Sequence, residues 1–468
     1  MIRLNSFILL LILILGGFGA GNLQAQVDSV PEDGILLEST EPLPEIFPLD
    51  SGNFLLIEFC GIQKNGQQEI RFGKYSNDLR QSWSAFTWIP KRLDFFGGVV
   101  SGKTVYILFA SKSPDRKANV LTGLSLFSGR LEKYEFELED FSANCIEASG
   151  EKVFIGGSSG KEGKIMMADM KKRSLGEFPI AHTGKGRVEE IGILPDGRVQ
   201  AILFNKISPV IAALVIRKFT TSGIPSGGFT LSSPSGENLM SGTCSSLADG
   251  TQFVVGNYGL PGDLWSQGFY FAMVRNDKKE ILKFYPFGEF DELKKHSSMS
   301  GNRIEDSHAA RQRKKKLRYD LLMHPVLALP GRFLLIGEVY SATGRKQGDE
   351  PGAHRRGGAR FEMGLVACFD ESGNMILNNV FDLNGARSRD LIRMIQAGTT
   401  RTGWHLSIPS EDGISRHQIT AWGEVRNAGN IEEDGLLKTR FLKNGDAVKL
   451  IQSREDGTLK LKMEYSGL

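Results

Sequence analysis

Six basic side chains fall within eight residues at Arg311, Arg313, Lys314, Lys315, Lys316 and Arg318. A second group follows at Arg345, Lys346, Arg355, Arg356 and Arg360. Ammonium and guanidinium groups crowded in this way draw polyanions: the phosphates of lipopolysaccharide, acidic glycans or nucleic acid. Nucleic acid is the least suited of these, because Tyr319 is the only aromatic residue beside the charges and base stacking needs more. The bland alternative is a pair of solvated loops with no ligand. The surroundings sharpen the contrast. Residues 291–320 carry +4 and residues 341–360 carry +3, so with +3 overall the rest of the chain carries −4.

Other chemistry-bearing residues are scattered. Seven histidines stand at 182, 296, 308, 324, 354, 405 and 417, with no metal-ligand spacing among them. His324 precedes Pro325 and His405 follows Trp404 on an apolar segment; both read as surface or core-satisfied imidazoles. Glu58 and Glu338 occupy equivalent positions in two apolar runs. A convergent carboxylate pair could do acid–base work on a glycan, but solvent-facing carboxylates near strand ends are the plainer expectation. Cys60, Cys145, Cys244 and Cys368 each sit in a separate apolar segment and read as small buried side chains rather than disulfide partners. The segment GGSSGKEGK at 156–164 lacks phosphate-loop spacing and has Ile165 where a magnesium-holding hydroxyl belongs. No GxSxG elbow, HExxH pair or calcium loop occurs. No metal and no cofactor is expected.

The elements that must position these residues announce themselves by a repeat. Turns centred on Gly52, Gly102, Gly150, Gly197, Gly250, Gly331, Gly403 and Gly457 each join two apolar strands. Their steps are 50, 48, 47, 53, 81, 72 and 54 residues. The two long steps contain the two basic insertions; without about 30 and about 20 residues respectively, every step is close to 50, a period that marks β-propellers. Asp, Asn and Gly at the turns suit hairpins, since they accept positive φ cheaply. Continuous apolar strands suit sheets covered on both faces, and 29 phenylalanines can fill the wedges between them.

The expected architecture is all-β: a propeller of seven four-stranded blades, or eight with one composite blade, closed by pairing of N- and C-terminal strands. Two strands around Gly457, Ala447 to Gln452 and Leu459 to Tyr465, cannot form a blade alone. Pairing with a strand near Gly34 would close the ring and remove its open edges. Residues 45–468 then form one domain with insertions at 291–320 and 341–360, after a leader at 26–44. Strand alternation puts both insertions on one face of the ring, where they would form a single cationic patch.

Residues 1–25 read as a secretory signal, with Arg3, an apolar run from Phe7 to Leu15, and small residues up to Ala25. That run is short for a membrane span, and no later stretch reaches such a length. The stretch from Leu329-Pro-Gly331 through GLVACFDESGNMILNNVF resembles secreted bacterial β-propeller repeat proteins. Lys314 to His324 and Gly337-Glu-Val-Tyr340 resemble the same exported group from Gram-negative bacteria, most clearly over 310–385. The resemblance implies a propeller and an exported life, and it supplies no catalytic residue. The sequence therefore reads as an exported, monomeric, non-catalytic propeller, periplasmic or associated with the cell surface. It would serve as a binding or scaffold protein for an envelope protein or an anionic polymer. The alternative is a propeller enzyme acting on a polysaccharide or glycoconjugate, marked by titratable groups gathered at the central channel.

Overall fold

The structure is a computed structural model. It describes residues 34–37 and 43–464 except for 50–51, 112–116, 161, 180–184, 209–210, 248, 262–265, 291–319, 343–358, 389–392, 401, 411–412, 433–435, 443–445 and 453–457. The signal reading at 1–25 and nearly all of both insertions lie outside the described residues. Among the described residues, no helix is long and apolar enough to cross a membrane.

Eight antiparallel sheets follow one another along the chain, each built on four ladder-paired strands. Blade 1 shows the plan: an inner strand Glu45–Pro48, then Phe54–Lys64, Gln67–Tyr75 and an outer strand Gln81–Pro90. The chain then steps to the inner strand of blade 2, Asp94–Ser101. Neighbouring sheets share apolar clusters. Between blades 5 and 6, for example, Phe253 and Phe271 pack with Phe333 and Phe369, and the Phe253 and Phe333 rings stand 4.1 Å apart. The expected role of phenylalanine as wedge filler is met there.

The inner strands of blades 5 and 6 are broken. In blade 6, Asp320–Met323 and Leu327–Leu329 pair the same neighbour on either side of His324-Pro325-Val326. Pro325 has no N–H to give the ladder, which forces the interruption. His324 still donates its backbone N–H to the Ile336 carbonyl at 2.9 Å, so the break is local.

Of the two blade counts that the repeat admits, eight is the one found. Blade 8 is composite: Leu436–Phe441, Ala447–Gln452 and Leu459–Glu464, with Ile35–Leu37 as its outer strand. Ile35, Leu36 and Leu37 pair with Leu461, Lys460 and Leu459, which closes the ring. Gly34 ends this strand at φ 92°, and a Cβ there would lie 2.3 Å from the Leu461 carbonyl oxygen, so only glycine fits. Seven of the eight repeat glycines do mark the hairpin between inner and second strands. In blade 8 that hairpin is the Leu442 to Asp446 turn, and Gly457 falls one strand later.

Candidate functional site

Ten of the eleven basic residues singled out in the sequence lie outside the described residues; Arg360 is described. It is exposed near the start of the third strand of blade 6, Ala359–Asp370, with its Nε 3.3 Å from the Glu362 carboxylate. The described strand ends flanking both insertions can be placed by topology. The outer strand of blade 5, Lys278–Pro286, runs towards the face from which Asp320–Met323 departs. Within blade 6, Arg332–Ala342 runs back to that face and Ala359–Asp370 leaves it again. Both insertions are therefore rooted on one face of the ring, and Arg360 stands on it. The inner strand of blade 7, Gln396–Thr399, starts from the same face.

The inner strands also line the central channel, and titratable side chains collect on it. Glu147 belongs to Phe141–Ser149 of blade 3, and Glu189 and Glu190 to Lys185–Ile193 of blade 4. Both strands are bulged, at Ala143/Cys145 and Val188/Glu190, and bulges re-aim the residues beside them. Burial pushes the carboxyls of Glu147, Glu189 and Glu190 above the ordinary carboxylate range. For Glu190, the charge of Glu147 adds to this, while the Thr243 hydroxyl, Arg393 and the Cys244 N–H oppose it. Burial likewise raises the thiols of Cys145 and Cys244, the latter to about 12, so neither is an activated nucleophile. All four cysteines are free, as their placement in separate segments implied.

Glu338 was expected to face solvent; it is instead fully buried. It sits on the second strand of blade 6 and reaches across to blade 7. Its Oε2 accepts from the Met394 N–H at 2.9 Å, and its Oε1 accepts from the Ile395 N–H at 2.8 Å. Oε1 also accepts from His324 Nε2 at 2.7 Å. Burial holds the His324 imidazole below its usual pKa, so the ring is neutral near pH 7 and the Nε2 proton is the one donated. With both oxygens occupied, Glu338 is no partner for Glu58, which lies on blade 1 opposite Arg71. Blades 7 and 8 separate the two.

This clasp fixes the segment that leads into blade 7, and with it Arg393. The Arg393 Nε–H donates to the Met323 carbonyl at 3.2 Å. Arg393 makes no salt bridge with any described carboxylate; Glu190 and Glu338 act on it at longer range, and burial presses its pKa below the usual guanidinium value. By surface area Arg393 is exposed to solvent, although neighbouring protein atoms are dense enough around its guanidinium to lower its pKa. A cationic fork held in this way suits an incoming oxyanion.

Arg393 borders a cavity of about 530 Å³ that runs along the inner strand of blade 7 and touches blades 6, 8 and 1. His324, Gln396, His405, Arg440 and Pro48 also line it. Arg440 is pressed down by burial and supported by Glu45. His405 comes from the second strand of blade 7, Gly403–Ser410, opposite Gly398. A Cβ on residue 398 would lie 2.2 Å from the His405 ring, so the missing side chain is what lets the imidazole cross the inner strand to the cavity. His182, His296, His308 and His354 lie outside the described residues. Among the described residues no cluster of three His, Cys, Asp or Glu side chains could hold a metal ion.

Sequence reasoning missed Arg393, Glu147 and Glu190. Paired glutamates inside an otherwise strand-like EEIGI segment were an available signal; Arg393, in a polar run before a short strand, offered none.

No family model matches the sequence, and no curated relative does either. Among solved structures, the chain is similar to the crystal structure of polysaccharide lyase Uly1, with a TM-score of 0.42, 10% identity, and 78% of this chain and 89% of that chain covered. It is similar to a PL25 ulvan lyase bound to -[GlcA(1-4)Rha3S]- at TM-score 0.41 and 9% identity, covering 78% and 90%. It is also similar to the β-propeller domain of the Trilobed protease from Pyrococcus furiosus at TM-score 0.40 and 13% identity, covering 80% and 95%. None of these lends the chain an activity or a residue.

Proposed function

We propose that this chain is an exported propeller that binds an anionic polymer of the cell envelope through the face bearing the two basic insertions and the channel that opens there. The observation that carries the reading is Arg393: a solvent-exposed guanidinium without a salt bridge among the described residues, in the segment leading into the strand Gln396–Thr399, which starts from the insertion-bearing face. Export rests on the signal-like first 25 residues and on the resemblance to secreted bacterial propellers. The cations of the insertions supply long-range attraction, and the channel supplies contact at close quarters.

The reading predicts salt-sensitive binding. The mature chain should be retained on an immobilised acidic polysaccharide, with affinity falling as ionic strength rises. A variant lacking 296–316 and 344–360 should bind about tenfold more weakly and with a shallower salt dependence, because fewer counterions are released. Unchanged affinity in that variant removes the insertions from the binding face.

A second reading, an enzyme acting on an acidic polysaccharide, is favoured by one feature. Glu147 and Glu190 lie on inner strands of adjacent blades, both raised above the carboxylate range, and Arg393 acts on Glu190. A carboxyl shifted upward is displaced in the direction that a general acid needs. Incubating the mature chain with such polysaccharides and assaying for new chain ends tests this; no new ends over extended incubation removes it.

A further inference from the structure

We infer that the cavity beside blade 7 is a subsite for one acidic sugar unit, whose monoanionic group, a carboxylate or a sulfate ester, pairs with Arg393. The inference rests on the polyanion-binding reading and adds the place where a single unit of the polymer is gripped.

Charge comes first. The Nε–H of Arg393 is occupied by the Met323 carbonyl, and among the described residues the two Nη groups of the fork have no hydrogen-bond partner, leaving them as donors for a ligand in the cavity that Arg393 lines. Two oxygens of a carboxylate or a sulfate ester match that fork. Glu190 and Glu338 lie near enough to act on Arg393. Arg393 and Arg440 are the two guanidiniums of the lining, and Glu190 and Glu338 act on the first as Glu45 does on the second, so the positive charge left for a ligand is small and disfavours a doubly charged phosphate. Rigidity comes second. The bonds from Glu338 to the Met394 and Ile395 N–H groups fix the backbone that bears Arg393. Little ordering is then left for the ligand to impose.

Shape and lining select a sugar among monoanions. About 530 Å³ falls within the usual range for small-molecule sites and admits a mono- or disaccharide. Gln396, Thr399 and His405 place groups of the kind that bind sugar hydroxyls in the lining. Pro48, with the largely buried Ile395 and Leu442, supplies the apolar part of the lining. His405 is available only because residue 398 is glycine.

Calorimetric titration of the mature full-length chain tests the subsite with digalacturonic acid, a galactose 6-sulfate disaccharide and neutral galactobiose, beside an acidic polysaccharide. At least one acidic disaccharide should bind, and the neutral one should bind at least tenfold more weakly. Which acid binds tells whether the recognised group is a carboxylate or a sulfate ester. Arg393→Gln should weaken that binding about thirtyfold. Arg393→Lys keeps the charge but not the fork and should fall between. Gly398→Ala, which drives His405 from its place, should weaken it without changing any charge. Unfolding midpoints of the variants report whether each is folded, and the lysine variant serves where glutamine does not fold. Equal binding of acidic and neutral disaccharides, or full affinity in both Arg393 variants, overturns the subsite. Polymer binding with no disaccharide binding also overturns it and leaves the polymer reading standing. Disaccharide binding with no polymer binding does the reverse.

Discussion

Replacing Glu338 by alanine should lower the free energy of unfolding by about 3–5 kcal/mol, because three buried donors lose their acceptor at once. The carboxylate is wholly buried and accepts three hydrogen bonds, from the Met394 and Ile395 N–H groups and from His324 Nε2. Alanine would strand all three donors away from water, and each unsatisfied donor costs about 1–3 kcal/mol before relaxation. The damage should be directional, because two of the donors belong to blade 7 and one to blade 6. Hydrogen exchange at Met394 and Ile395 should accelerate first, while amides in blades 2 and 3 keep their protection until global unfolding. Glu338→Gln keeps one acceptor oxygen but turns an amide NH₂ towards a donor, so roughly half the loss is expected. Denaturant unfolding of the two variants beside the parent measures this. An alanine variant as stable as the parent would show that the clasp between blades 6 and 7 does not hold the ring.

The contrast between the clasp and the repeat explains what could be read from residues alone. The hairpin glycines and the apolar runs between them repeat the local demands of strand and turn, and local demands leave a period. Eight sheets and the pairing of Ile35–Leu37 with Leu459–Glu464 follow from that pattern. The blade count hung on one segment, Leu436–Phe441. Its LLKTRF sequence places Lys438 and Arg440 among apolar residues and dilutes the strand signal. The channel is another matter. A residue faces it because of strand register and bulges such as Val188/Glu190, and its neighbours come from blades far apart in sequence. Glu190 meets the field of Arg393 from three blades away along the chain, and no spacing encodes that. Glu338 did leave a trace, as a lone carboxylate inside the apolar run FLLIGEVY. Such a residue is costly to bury without partners. Two of its three partners are backbone N–H groups, which no reading of side-chain types reveals, and the third, His324, stands 14 residues away in the break of the inner strand.

Acid should destabilise the ring from just below neutrality. Burial holds His324, His405 and His417 below the ordinary imidazole pKa; for His405, Arg416 adds to the effect. The sign follows from proton counting. Below about pH 6.5 the unfolded chain takes up protons on these rings. The folded chain does not until the lower folded values are reached, so stability falls as pH falls through that window. Each ring contributes at most about 1.4 kcal/mol per pH unit. His324, enclosed against Glu338, should approach that limit, and the partly exposed His405 and His417 should contribute less. The channel carboxylates act the other way. Glu147, Glu189 and Glu190 have raised folded values, so the folded chain takes up their protons at a pH where the unfolded chain does not. The loss should therefore be steepest at first and ease as these groups protonate. Two variants separate the contributions in a pH series of denaturant unfolding. His417→Asn removes one imidazole and should flatten the initial slope. Glu190→Gln removes one opposing carboxyl and should steepen the curve at lower pH while raising stability near neutrality. Level stability between about pH 7 and pH 5.5 in the Glu190→Gln variant, where one opposing carboxyl is gone, would show the imidazoles titrating in the folded chain at their ordinary values, against the burial of His324.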